Sequence, residues 1–269
     1  MSPAWAVLVA ALLRSAALPG SDDPQIAALW QQALEYDAQR KPGAAAAVYE
    51  DLAKRLPAES GPRWRAAKGH WTHGVRLLKT DRAGRREAYR LTREWAAQGL
   101  AIDAQCGECC LYLAAGMGGE ARDDGGLAAA RQVDEIAQLL ERGIAILSAR
   151  PGADRDSELE ELYYAAAQLY HRVPDWGIVR WALGVPGDRL RAVEYMRRAR
   201  RIAGDRADYA VELAALLVCT GDDEDDTALS AEGLALLHEV VQRPDDVGDM
   251  RARAQALLDQ PDEACEYSD

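Results

Sequence analysis

Large–small–large triplets recur along this chain at helical spacing, and they restrict its possible folds more than any other feature. Trp64, Ala67 and Trp71 stand at i, i+3 and i+7. The spacing returns as Cys110/Leu113/Ala114/Met117, as Tyr163/Ala166/Ala167/Tyr170 and as Ala210/Leu213/Ala214/Leu217. Trp30 and Ala33 stand 34 residues ahead of Trp64 and Ala67. A small residue between two large ones lets paired helices approach closely while the rings fill the remaining space. One triplet says little, because any amphipathic helix carries some. Several are informative when they alternate with a second pattern, seen in Ala45/Tyr49/Leu52/Pro57 and in Ala192/Met196/Ala199 before Gly204. There is no run of alternating β-branched residues, and Gly/Pro/Asp clusters separate segments of about 12–20 residues.

Helix starts are marked. Pro24 follows Asp23 and Pro62 follows Gly61, placing proline in a first turn that needs no backbone donor. Ser157 and Glu160 have capping-box spacing, and Gly187-Asp188 opens a further helix. The expected pairs are 24–55, 62–101, 105–148, 157–203 and 207–242, closed by a helix over 247–259. The whole resembles the tetratricopeptide-repeat (TPR) superfamily, whose first helix carries W-x2-L-G-x2-Y and whose second carries A-x3-F…P. The resemblance covers roughly residues 24–243. It implies an all-α fold: a right-handed α-solenoid of about five antiparallel helix pairs plus a C-terminal capping helix. The member is irregular. Its later first helices follow at 46, 53 and 47 residues, with the extra length in 118–126, 150–156 and 173–187. Inserted pairs of this kind resemble the TatT-type accessory proteins of periplasmic TRAP transporters. Tyr163–Gly204 carries most of that second resemblance.

The chain has 269 residues, long enough for a substantial core, and no Phe, so its 10 Tyr and 7 Trp must supply the large rings. A mean hydropathy of −0.30 excludes a polytopic membrane protein. Of 44 acidic residues, 15 fall between Asp222 and Asp269 against 3 basic ones, which accounts for the whole net charge of −12. The remainder is balanced. Nucleic acid is not expected as a partner, since an acidic chain repels it and no nucleic-acid motif is present. The expected organisation is a signal peptide over 1–20, a repeat domain over 21–260 and a disordered acidic tail over 261–269. Ala4–Leu13 is apolar but too short to span a bilayer as a helix, and Ser15-Ala16-Ala17 suits a signal peptidase. Export to the periplasm or beyond, with cleavage near Ala17, is the expectation; a cytoplasmic N-terminal helix is the alternative.

No nucleophile–base pair or paired carboxylate set marks an enzyme. No cofactor or metal site is expected either. Cys106-x-x-Cys109-Cys110 lacks the His of a c-type haem site and the second ligand pair of a zinc site. Buried small residues are the expected role of these cysteines, with one disulfide, for example using Cys219 or Cys265, as the alternative. His70 and His73 lie among cations that disfavour a metal. Asp222–Asp226 lacks the glycine and spacing of a calcium loop, so a solvated inter-helix turn is expected.

The tetratricopeptide resemblance places first helices along a concave groove. In that register Tyr164, Gln168, His171 and Arg172 face the groove on one first helix, and Arg65, Gly69, Thr72 and His73 face it on an earlier one. Trp176 and Trp181 sit in an unusually apolar connection, as an extra packed helix or a docking element beside the groove. The expected function is therefore a non-catalytic scaffold holding a protein or peptide partner. The alternative is a TatT-like accessory protein that associates with a periplasmic solute-binding protein and helps deliver a small anionic ligand.

Overall fold

The structure is a computed structural model that describes residues 23–124, 126–152, 155–173, 188–244 and 248–267. It falls into two compact units, one ending at Asp123 and one beginning at Asp124. The described residues contain helices and no strands. The first unit holds α1 (Pro24–Ala38), α2 (Pro42–Arg55), α3 (Gly61–Arg76), α4 (Arg82–Ile102) and α5 (Gly107–Asp124). The second holds α6 (Gly126–Ala149), α7 (Asp156–Arg172), α8 (Arg189–Ala203), α9 (Ala207–Asp223), α10 (Thr227–Gln242), α11 (Asp249–Asp259) and a 3-10 helix, Pro261–Cys265. Helices adjacent in sequence pack together: α1 on α2, α2 on α3 and α3 on α4, then from α6 on α7 through to α10 on α11. The fold is all-α and built from successive helix pairs, as the sequence pattern requires.

The small residues of the triplets are where the helices meet. Ala33, Ala67 and Ala214 are 0% exposed, and Ala114 and Ala167 are nearly so. Rings close the space beside them: Trp30 meets Tyr49 edge-on at 5.7 Å, and Trp71 lies 5.3 Å from Tyr89. With no Phe available, buried tyrosines bring hydroxyls into the core and need partners there. The Tyr49 hydroxyl donates to Asp37 Oδ2 at 2.8 Å, and the Tyr89 hydroxyl accepts from Arg122 at 2.8 Å. Glycine permits the closest approaches. A Cβ on Gly69 would stand 2.9 Å from the Pro42 carbonyl oxygen, and one on Gly116 would stand 2.7 Å from the Arg93 amide nitrogen.

Arginines tie the turns. Arg63, buried, donates to the carbonyls of Leu56 and Glu59, joining the end of α2 to the start of α3. Arg155 does the same between α6 and α7, donating to the carbonyls of Leu147 and Ser148 at 3.0 and 2.9 Å and also to that of Arg150. Helix ends leave carbonyls without intrahelical partners, and a guanidinium satisfies several at once. The expected Ser157–Glu160 capping box does not form. Arg155 is the N-cap and α7 starts at Asp156, so Ser157 already lies inside the first turn. Elsewhere aspartates cap several helix starts, including Asp226 of the run expected to be a solvated turn. Asp23 accepts from the Gln25 amide, Asp188 from the Arg191 amide, and Asp226 from the Ala228 and Leu229 amides.

The C-terminus departs from expectation. Residues 261–267 are not a disordered tail: the 3-10 helix packs on α9 and α11, with Ala264 buried and Cys265 and Tyr267 against the core of Ala210, Val211, Ala214 and Leu257. Cys265 is disulfide-bonded to Cys219 on α9. Cys106 pairs with Cys109, and Cys110 remains a buried thiol. Cys106, Cys109, Cys110 and Cys219 are buried, as expected of small core residues, and Cys265 is half-buried, but they form two disulfides rather than none or one.

Candidate functional site

The first unit carries a cavity of about 320 Å³ between α1, the α1–α2 turn and α3. Trp64, Arg65, Lys68, Gly69 and Thr72 line it from α3. These residues face one way because they recur at three- and four-residue intervals along one helix. Gly69 lets α3 lie directly on the start of α2, which forms the wall opposite. Leu34 and Asp37 come from α1, and Arg40 from the turn.

Among the described residues, four cations border the cavity, Arg40, Arg65, Lys68 and Arg76, against one carboxylate, Asp37. Arg65 is held in place: its guanidinium lies 4.0 Å from the Trp64 ring centroid and 4.8 Å from that of Trp30, and its Nη1 donates to the Gly61 carbonyl. Trp64 in turn stacks on Tyr112 of α5, 6.3 Å away and 3° from parallel. Aromatic faces fix a guanidinium without removing its charge. Arg76 donates Nη1 to the Arg40 carbonyl, closing the α1–α2 turn against the end of α3. Asp37 is open to solvent as a residue, yet the packing around its carboxyl pushes the pKa above the ordinary value, against the pull of the Tyr49 hydroxyl and the Lys68 and Arg65 charges. Its partner Tyr49 is raised more strongly, by burial and by the Asp37 charge beside it.

In the second unit, Tyr164, Gln168, His171 and Arg172 lie on α7. Tyr164 packs its ring 5.5 Å from Tyr209 of α9, and Gln168 Nε2 donates to Glu212 Oε2 of α9 at 3.2 Å. Burial pushes the Tyr164 phenol up to about 12; the Glu212 charge adds to this and Arg172 opposes it. Tyr267 belongs to the same neighbourhood, since its charge also acts on Tyr164. Sequence reasoning missed Tyr267 by placing it in a tail. Only the Cys219–Cys265 pairing could have signalled that it comes back to the fold.

The residues singled out from sequence are thus distributed over both units. Arg65, with Gly69 and Thr72, lines the first-unit cavity; Tyr164, Gln168 and Arg172 gather with α9 residues in the second. His73 is exposed on α3 and does not line the cavity, its ring lying instead beside Gly43. His171 is half-buried on α7. Trp176 and Trp181 lie outside the described residues, as does the N-terminal segment read as a signal peptide. His70 turns towards α2, where Nε2 meets Glu50 Oε1 at 2.6 Å. Among the described residues no group of three or more His, Cys, Asp or Glu is placed to hold a metal, and no helix is long and apolar enough to cross a membrane.

No family model matches the chain, and a search of curated proteins finds no match. Among solved structures it is similar to a thermophilic TPR protein of Thermus thermophilus. That likeness has a TM-score of 0.57 at 15% identity and covers 87% of this chain and 98% of that one. It is a likeness of fold. The all-α helix pairs described above have the tetratricopeptide-like arrangement.

Proposed function

We propose, with the tetratricopeptide-like fold as premise, that this protein is a non-catalytic interaction module that holds a partner's peptide segment against its first-helix faces. A fold of this kind serves protein–protein contact as a rule, and the observation that carries the reading here is the cavity against α3. It combines a fixed guanidinium, a half-buried indole and a close-packed glycine floor, features that suit a polar chain lying across helices. The Tyr164/Gln168/Arg172 cluster is the corresponding surface on the second unit. The test is capture of partners from the native host with the parent, Arg65→Gln, and a Tyr164→Ala/Arg172→Ala double variant. The expected outcome is loss of the same partner from both variants with unchanged helical circular dichroism. Retention of the partner by both would remove the reading.

We further propose that the protein is exported after cleavage near Ala17. Two disulfides support this, because such bonds persist in oxidising compartments. In that setting a solute-binding protein as dominant partner would favour the TatT-like reading. N-terminal sequencing of the native protein tests the export step: a start near Leu18 is expected, and an intact Met1 would overturn it.

A further inference from the structure

The turn between α3 and α4 sets the most exposed large apolar side chain of the described residues among cations. Leu78 is 75% exposed, and Val75, on the last turn of α3, is 47% exposed. A hydrogen-bonded frame presents Leu78 to solvent. The Asp81 amide donates to the Leu78 carbonyl at 2.9 Å, and Arg85 Nη1 donates to the carbonyls of Leu78 and Lys79 at 2.9 and 2.5 Å. Arg76 donates to the Arg40 carbonyl, which brings the α1–α2 turn to the same end of the unit, and Arg82 donates to the Asp123 carbonyl. These acceptors are neutral, so the guanidinium charges stay uncompensated.

Arg40, Lys41, Arg76, Lys79 and Arg82 are all exposed at this end, and among the described residues none of the five is ion-paired. The carboxylates there have neighbours of their own. Asp37 accepts from the Tyr49 hydroxyl, Asp81 from the Gly84 amide, and Asp123 pairs with Arg85 at 3.0 Å. The first unit as a whole holds 16 basic and 14 acidic residues up to Asp123, in a chain whose net charge is −12. Such an asymmetry between the halves of a chain points to a polyanionic surface as partner of the basic half.

We propose that this end of the first unit docks on an anionic lipid surface, with Leu78 entering the headgroup layer and the surrounding cations meeting lipid phosphates. The inference goes beyond the peptide-binding reading and does not depend on it. An apolar side chain already in water gains by entering the boundary between headgroups and acyl chains, and each cation near a negative surface adds attraction. A nucleic-acid backbone would use the same cations but leave Leu78 in water. The apolar residue therefore favours lipid.

Co-sedimentation of the full chain with vesicles provides the test. The probes are vesicles of phosphatidylcholine alone, vesicles with about one third phosphatidylglycerol, and a short DNA duplex. Arg40 and Arg76 also border the cavity described above, so the substitutions are confined to Lys41, Lys79 and Leu78, which do not line it. The apolar run Ala4–Leu13 is common to all variants, so differences between them report the turn. The parent should bind the anionic vesicles in preference to the neutral ones, and added salt should weaken it. The Lys41→Gln/Lys79→Gln double variant should bind them about tenfold or more weakly, near fivefold for each charge lost. Leu78→Ser should weaken binding about fivefold or more. Ile102→Ser, which removes another exposed apolar residue at the far end of α4, should bind like the parent. Equal binding to neutral and anionic vesicles, no binding to either, or variants of the turn that match the parent would each overturn the proposal. So would an Ile102→Ser loss as large as that of Leu78→Ser. DNA binding that depends on the lysines but not on Leu78, without vesicle binding, would replace lipid by nucleic acid. Circular dichroism of the variants, expected to match the parent, separates these outcomes from misfolding.

Discussion

Alanine at position 116 would bring a Cβ to 2.7 Å from the Arg93 amide nitrogen and 2.9 Å from the Tyr89 carbonyl oxygen, both backbone atoms of α4 that have little room to retreat. Gly116→Ala is therefore expected to push α5 away from α4 and to destabilise the first unit by about 1–3 kcal/mol, read as a lower urea midpoint. Ala67→Leu and Ala214→Leu, at positions with no exposure, should cost about as much by overpacking a helix-pair interface. If both melt like the parent, the repeat register is wrong. Residue by residue, the small positions of the triplets were legible, because only a small side chain allows two helices to touch. Asp37 was not. Its importance comes from Tyr49, Lys68 and Arg65 converging on it from α2 and α3, and nothing near Asp37 in the sequence announces that meeting.

Helix boundaries show a similar division at the scale of the element. Those of α1, α8 and α10 follow from local capping by Asp23, Asp188 and Asp226, each acting within three residues. α7 begins instead where Arg155 is held by carbonyls at the end of α6, a tertiary contact that overrides the Ser-x-x-Glu signal one step later. The terminal 3-10 helix is governed by a covalent tie. The Cys219–Cys265 bond spans 46 residues, and closing a loop of that length lowers unfolded-state entropy by about 4 kcal/mol at room temperature. Cys219→Ser should accordingly lower the urea midpoint, more than Cys106→Ser, whose partner is only three residues away. A reductant added to the parent should reproduce most of the loss. An unchanged midpoint in Cys219→Ser would mean that the bond does not support the terminal helix.

Across the whole molecule, the substitution of tyrosine for phenylalanine has a consequence for pH. Tyr49, Tyr164, Tyr170 and Tyr209 are all raised above the ordinary value near 10, each chiefly by burial, with Asp37, Glu212, Glu141 and Glu160 respectively adding to the shift. The folded chain holds these phenolic protons more tightly than the unfolded chain. The resulting stability is complete below about pH 10 and is lost as pH rises beyond it, because only the unfolded state then gains by ionising. Alkaline titration should show tyrosinate absorbance and loss of helical circular dichroism rising together above pH 10. Smooth tyrosinate formation with intact helices would contradict the burial.

The sequence by itself determined that the chain forms paired helices, where nearly all of them lie, and which small residues sit between them. Those properties follow from periodicity and local capping, which act over a few residues. Tertiary structure alone decided that Arg65 lies over two indoles, that Asp37 lines a cavity bordered by cations, and that Tyr267 returns to α9 through Cys265. Each joins groups from different helices, and a linear pattern does not encode distances between segments that only packing brings together.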